Sequence, residues 1–66
     1  MHILLNGAPC DLEEGSRITD LLVREGLAER RVAVEVNGEI VPRGLHPQHA
    51  LHEGDRVEVV HALGGG

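Results

Sequence analysis

The part of this sequence with the clearest capacity for chemistry is its C-terminal end, where Gly64, Gly65 and Gly66 follow a strand-like run. Glycine has no Cβ, so such a tail is predicted to be flexible and narrow enough to enter a slot that excludes other residues. The tail also leaves the carboxylate of Gly66 open to attack or activation. Chain ends are often unstructured without having a role, and glycines can be left over from cloning, so these alternatives stay open on composition alone.

The only thiol in the sequence belongs to Cys10. A nucleophilic cysteine needs electropositive surroundings that favour the thiolate, whereas Asp11 and Glu13 follow Cys10 closely. We therefore expect Cys10 to be a small residue in an edge strand and to have no catalytic role. A single cysteine also excludes an internal disulfide, which fits a reducing compartment.

Three histidines spaced three residues apart raise the question of a metal site. The residues that could bind zinc or nickel through imidazole and carboxylate groups are His46, His49, His52, Glu53 and Asp55. Gly44 and Pro47 interrupt any helix that would present the three histidines on one side. We therefore predict a solvated loop in this region and no metal site.

The composition excludes several classes of function. The chain has 66 residues and a net charge of −5, with six arginines and no lysine, phenylalanine, tyrosine or tryptophan. An acidic domain without aromatic rings to stack on bases is a poor nucleic-acid binder, and a partner with a basic surface is favoured. No apolar run reaches transmembrane length and no signal-peptide pattern opens the sequence, so we expect a cytoplasmic protein. No catalytic triad, carboxylate pair or phosphate loop is present, so we expect no enzyme activity.

Alternation of apolar and polar residues predicts five strands. They cover residues 1–5, 8–12, 32–36, 39–41 and 56–62. Asn6-Gly7 and Asn37-Gly38 predict hairpin turns, because both residue types tolerate positive φ. Pro9 cannot donate a hydrogen bond, so the second strand is predicted to lie at a sheet edge.

Helical spacing of apolar residues predicts one helix over residues 17–25. Ser16 is the expected N-cap, and Asp20 lies where a negative charge favours the helix dipole. Gly26 is suited to the position after the helix, where Leu27 could pack back on Leu22 in a Schellman motif.

This order of elements predicts an α+β roll in which a mixed sheet of four to five strands packs on one helix, with the first and last strands central and parallel. The domain is expected to cover residues 1–62, and the flexible glycine tail residues 63–66. The predicted core is entirely aliphatic and consists of Ile3, Leu5, Ile18, Leu21, Leu22, Val34, Val36, Ile40, Leu51, Val57 and Val59.

The opposite sheet face is predicted to carry an apolar patch that leads into the tail. If Ile3 and Val57 point inward, Leu4 and Val60 point outward, with Ala33 as a possible neighbour. An exposed apolar patch with a charged rim is typical of a partner-binding surface. The candidate partner-binding residues are Leu4, Val60, Ala62 and Leu63.

Three stretches of the sequence resemble the ubiquitin-like β-grasp sulfur carriers, most closely the thiamine-pathway sulfur carrier family. They are residues 1–7 (MHILLNG), residues 34–43 (VEVNGEIVPR) and residues 54–60 (GDRVEVV), the last running into Gly64-Gly65-Gly66. The resemblance spans the whole chain, and it implies the β-grasp fold.

The resemblance also implies a mechanism. An E1-like adenylyltransferase would bind the sheet face, draw in the tail and use ATP to convert the Gly66 carboxylate into an acyl-adenylate. Sulfur from a cysteine desulfurase or a rhodanese-like protein would then replace AMP and leave a thiocarboxylate, which thiazole synthase would accept. The carrier itself would bind no cofactor, and its partners would supply the catalysis.

Three other interpretations remain open at this point. The sulfur-carrying small subunit of molybdopterin synthase ends in a similar diglycine, but such subunits are usually longer and carry aromatic residues near the start. A ubiquitin-like modifier that is conjugated to lysines would share the tail. An interaction domain whose tail has no role would share the fold. If Gly66 were a cloning remnant, the chemistry would belong to Gly65.

Overall fold

A computed structural model describes residues 1–61 of the chain as a five-stranded sheet packed on one helix. The elements are β1 (His2–Leu5), β2 (Ala8–Asp11), α1 (Ile18–Arg24), β3 (Val32–Val36), β4 (Glu39–Val41), a 3-10 turn (Arg43–Leu45) and β5 (Arg56–His61). The strand order is β2-β1-β5-β3-β4, with β5 parallel to β1 and antiparallel to β3. The predicted α+β roll with adjacent, parallel first and last strands is confirmed, and so is the edge position of β2.

Both predicted hairpin turns are present. Asn6 and Asn37 have φ of 51° and 53°, and the glycines that follow them have φ of 84° and 87°. Two successive residues with positive φ match the right-handed twist of the flanking strands. The turns therefore fix the pairing of β1 with β2 and of β3 with β4.

The start of α1 differs from the prediction. Arg17, not Ser16, is the N-cap, and the Arg17 backbone amide donates a hydrogen bond to the Asp20 carboxylate at 2.8 Å. The Ser16 carbonyl instead accepts a hydrogen bond from the backbone amide of Leu51 at 2.9 Å. Pairing with a distant segment therefore moves the helix start by one residue, while Asp20 stays in the first turn, where a carboxylate is favourable.

The end of α1 matches the predicted Schellman motif. The Leu27 amide donates to the Leu22 carbonyl at 2.7 Å, and the Gly26 amide donates to the Val23 carbonyl at 3.1 Å. Gly26 has a φ of 74°, a left-handed conformation that costs little without a Cβ. Leu27 packs against the core, so the motif also directs the chain from the helix towards β3.

The core lies between α1 and one face of the sheet. Its buried apolar residues are Ile3, Leu12, Ile18, Leu21, Leu22, Val34, Val36, Val41, Leu51 and Val57. Leu5 and Val59 are half-buried and pack against this cluster. The prediction that Ile40 belongs to the core is wrong, because Ile40 is 68 % exposed. It pairs with Glu35, whereas Val41 pairs with the buried Val34, so the inward position of β4 is one residue later than predicted.

No helix among residues 1–61 is long and apolar enough to cross a membrane.

Candidate docking surface beside the central strand

The last strand, β5, occupies the middle of the sheet, and its final residue is His61. The predicted site residues Ala62, Leu63, Gly64, Gly65 and Gly66 lie outside the described residues, as does the predicted domain boundary after residue 62. The described part of the candidate site therefore consists of β5 and its neighbours β1 and β3.

The face of the sheet turned away from α1, called the outer face here, is formed by residues that alternate with the buried ones. They are Leu4, Pro9, Ala33, Glu35, Ile40, Arg56, Glu58 and Val60. Leu4 is 40 % exposed and Val60 is 53 % exposed. The structure therefore places both of these predicted partner-binding residues on one solvent-facing surface.

Leu4 and Val60 do not touch. Leu4 lies beside Arg56, and Val60 is four residues further along β5, beside Ala33. At about 3.3 Å per residue, this spacing separates the two side chains by about 13 Å. The outer face thus carries two apolar areas, one around Leu4 and one around Val60, where a single patch was predicted.

An acidic pair lies between these apolar areas. Glu35 and Glu58 are directly opposite each other on β3 and β5, and none of the salt bridges found within residues 1–61 involves either of them. Like charges at directly opposed strand positions are unfavourable. A basic side chain of a partner would relieve this repulsion, which gives the surface a preference for positively charged partners.

Two asparagines hold β5 from its two sides. The Asn6 side-chain oxygen accepts a hydrogen bond from the Val59 amide at 2.8 Å, and the Asn37 side-chain oxygen accepts one from the Arg56 amide at 2.9 Å. Both asparagines also donate their backbone amides to β5 carbonyls, those of Val57 and Arg56 respectively. The sequence indicated these residues only as turn formers, because nothing local to an Asn-Gly pair reveals a bond to a strand far along the chain.

The single cysteine lies in the edge strand, as predicted. Cys10 is half-buried in β2, and its sulfur accepts a hydrogen bond from the Arg24 guanidinium at 3.2 Å. Strand β1 lies between β2, which contains Cys10, and β5. Cys10 therefore has no direct contact with the strand that leads to the tail.

The histidines of the loop after β4 are not gathered into one site. The prediction of a solvated loop is wrong for His46, which is buried because its Nε2 donates a hydrogen bond to the Val41 carbonyl at 2.9 Å. His52 is exposed and lies near Asp55. Within residues 1–61, no group of three or more histidine, cysteine, aspartate or glutamate side chains is placed to hold a metal ion. The buried ring of His46 thus stabilises the loop by satisfying a backbone carbonyl.

Comparisons with known proteins identify similar sequences and structures along the whole chain. A protein named thiazole synthase from Magnetococcus marinus is 46 % identical over 66 residues, which is 100 % of this chain and 20 % of that protein. The sulfur carrier protein ThiS of Escherichia coli K12 is 29 % identical over 66 residues, covering 100 % of both chains. The chain spans about a fifth of the length of the curated thiazole synthases that it matches.

A solved structure shows the same architecture. The crystal structure of the thiamine biosynthesis protein ThiS from Geobacter metallireducens has a TM-score of 0.86 at 33 % identity and covers 100 % of both chains. The ThiS family model matches residues 3–66. The five-stranded mixed sheet with one helix is thus the ubiquitin-like β-grasp, and the chain belongs to the ThiS family.

Proposed function

We propose that this chain carries sulfur for the formation of the thiazole of thiamine, as a thiocarboxylate on Gly66. The observation that carries the proposal is the family match, which extends to residue 66 and so includes the whole glycine tail. The name of the similar Escherichia coli protein, a sulfur carrier, supports the same role.

The proposed chemistry begins at the terminal carboxylate. A carboxylate oxygen attacks the α-phosphorus of ATP, and pyrophosphate leaves, giving an acyl-adenylate that is a much better electrophile than the carboxylate. The terminal sulfur of a persulfide then attacks the acyl carbon and displaces AMP. A thiolate then attacks the donor's sulfur in the resulting acyl disulfide and forms a new disulfide with it. The thiocarboxylate leaves, taking the electron pair of the cleaved S–S bond on the carrier sulfur.

The partners in this proposal supply the catalytic groups. They are an E1-like adenylyltransferase that binds ATP, a persulfide donor such as a cysteine desulfurase or a rhodanese-like protein, and thiazole synthase as acceptor. Support for the last partner comes from the similar proteins named thiazole synthase, in which a sequence like this one makes up 20 % of the chain. A single protein that contains both a sulfur carrier and a thiazole synthase would keep the sulfur donor and its acceptor at a high effective concentration.

The outer face is the proposed docking surface for these partners. Leu4 and Val60 offer apolar contacts, and the opposed Glu35 and Glu58 favour an arginine or lysine of the partner. Ala62 and Leu63 would extend the contact towards the tail. This arrangement separates recognition, which the sheet provides, from reactivity, which belongs to Gly66.

The test of this function is a mass measurement. Purified protein is incubated with the adenylyltransferase, ATP and the persulfide donor, and its intact mass is compared with that of a sample lacking ATP. The expected result is the replacement of one oxygen by sulfur, located in the C-terminal peptide by fragmentation. An unchanged mass in the presence of partners that modify another carrier would show that the proposal is wrong.

Docking through the outer face predicts that Val60→Asp weakens binding more than it lowers stability. Val60 is 53 % exposed, so its replacement should change the free energy of unfolding by about 1 kcal/mol or less. A carboxylate placed in an apolar contact should raise the Kd for the adenylyltransferase about tenfold, which is about 1.4 kcal/mol. Calorimetric titration measures the Kd, and urea denaturation measures the stability.

The matched control for this prediction is Val23→Asp. Val23 is 65 % exposed on α1, which packs on the other face of the sheet. The same chemical change at this position should leave the Kd within about twofold, because a rim or non-interface residue contributes little to binding. Equal effects of the two substitutions on the Kd would exclude the outer face as the docking surface.

A further inference from the structure

Asn6 directly follows β1. Among residues 1–61, it makes the last hydrogen bonds on the β1 side of β5. The paired part of β1 ends at Leu5, opposite Val57, because the chain then turns into β2. The backbone amide of Asn6 donates to the Val57 carbonyl at 2.8 Å. Beyond this point β1 offers no backbone partner to β5, and the side-chain oxygen of Asn6 takes that place by accepting from the Val59 amide at 2.8 Å.

Among residues 1–61, the part of β5 after Val59 pairs with β3 alone. Val60 and His61 pair with Ala33 and Val32 of β3. A strand end with a neighbour on one side opens more easily than one with neighbours on both sides, because fewer hydrogen bonds and packed side chains must be broken. The bond to Asn6 is therefore placed where it restricts the orientation of β5 just before its last described residues.

We propose that Asn6 is a positioning residue for the reaction of the C-terminal glycine. By holding Val59, the Asn6 oxygen fixes the exit direction of β5 and so presents the tail to the adenylating site of the partner. The inference rests on the proposed function, since it takes the carboxylate of Gly66 as the reacting group. Correct placement of a reacting group accounts for a large part of enzymatic rate enhancement, and small displacements lower the rate strongly.

The chain contains a matched position at the other end of the same strand. Asn37 also precedes a glycine, has a φ of 53° close to the 51° of Asn6, and accepts from a β5 amide, that of Arg56. It makes one more side-chain bond than Asn6, because its Nδ2 donates to Asp55 at 3.0 Å. Arg56 is the first residue of β5 and His61 the last, so the two asparagines differ mainly in their distance from the tail.

The experiment compares Asn6→Gly, Asn37→Gly and Asn6→Asp with the unsubstituted chain. Glycine adopts the positive φ of both turns without strain but lacks the side-chain acceptor. Aspartate tolerates the same conformation and keeps an acceptor oxygen. The readouts are amide hydrogen exchange at Val59 by NMR, and kcat and KM of adenylation measured as pyrophosphate release with the adenylyltransferase.

In Asn6→Gly, exchange at Val59 should become about fivefold faster, the effect expected for the loss of one hydrogen bond. The kcat of adenylation should fall about fivefold or more. Its KM should stay within about twofold, because the substitution leaves Leu4 and Glu58 of the outer face in place. Asn6→Asp should restore kcat to within about twofold of the unsubstituted chain, since the acceptor is restored.

The control Asn37→Gly should leave kcat within about twofold even though it removes two side-chain hydrogen bonds. A normal kcat in Asn6→Gly together with fast exchange at Val59 would overturn the proposal, and so would an equal loss of kcat in both glycine variants. Failure of the unsubstituted chain to release pyrophosphate would instead refute the proposed function, and the positioning role would fall with it.

Discussion

Removal of Gly65 and Gly66 is expected to abolish sulfur loading while the domain stays folded. The deletion moves the terminal carboxylate back by two residues, a distance of about 7 Å for an extended chain, so it can no longer reach the site at which the full chain is adenylated. The buried apolar residues of the described chain all lie at or before Val57, so the free energy of unfolding should change by no more than about 0.5 kcal/mol. Intact mass spectrometry measures loading, and urea denaturation measures stability.

A shorter deletion identifies the reacting residue. Removal of Gly66 alone leaves a carboxylate on Gly65 and should also stop loading, since the loss of about 3.5 Å of reach is large compared with the placement that the reaction requires. Loading of this variant at the rate of the full chain would assign the chemistry to Gly65. Loading of the chain that lacks both glycines would show that sulfur is attached elsewhere and would contradict the proposed function.

The second large effect is expected from Leu21→Ala. Leu21 is fully buried between α1 and the sheet, and truncation of a buried leucine costs about 2–5 kcal/mol. A single core of this size rarely provides more than about 3–5 kcal/mol of net stability. The variant should therefore be largely unfolded at room temperature, and every partner-dependent reaction of the chain should be lost with the fold.

Val23→Ala is the matched control for the core substitution. Val23 is on the same helix but is 65 % exposed, so its truncation should change the free energy of unfolding by no more than about 0.5 kcal/mol. Far-UV circular dichroism is the suitable probe, because the chain has no aromatic residue for fluorescence. Similar urea midpoints for the two variants would mean that Leu21 is not a core residue.

Local patterns in the sequence were sufficient for most of the fold. The Asn-Gly pairs predict both hairpins because positive φ at two successive positions is a property of those residue types. The glycine and leucine after α1 predict its C-terminal motif for the same local reason. With the two hairpins placed, a mixed sheet with parallel first and last strands was the simplest way to cover one helix, and the structure has this topology.

The wrong predictions, for the inward residue of β4 and the N-cap of α1, concern positions at which contacts with distant segments determine the structure. Ile40 and Val41 are both apolar, so alternation within a three-residue strand could not indicate which one faces the core. Pairing with β3 decides in favour of Val41. Likewise, Ser16 is a good N-cap by type, but its carbonyl bonds to Leu51 and Arg17 caps the helix.

For the candidate site, the sequence predicted which side chains lie on the outer face but not the distance between them. The two-residue period of the strands correctly predicted that Leu4 and Val60 point outward, because neighbouring positions in a strand point to opposite faces. The distance between them depends on how far β5 is shifted along β1, which is set by the loop before β5 and by the bonds to Asn6 and Asn37. The contacts with β1 and β3 are not local, so the sequence pattern did not reveal that the opposed Glu35 and Glu58 separate the two apolar residues.

The order of the strands also bears on self-association. The strands at the two edges, β2 and β4, have four and three residues. Hydrogen-bonded and non-hydrogen-bonded pairs alternate from the Leu5–Ala8 pair that closes the hairpin, so the nitrogens of Pro9 and Asp11 face the open edge. Pro9 offers no donor there. Short edges and an edge proline disfavour the growth of intermolecular sheets, while the longer β5 lies in the middle of the sheet. Both edges of the sheet are thus poor templates for pairing with the strands of a second copy.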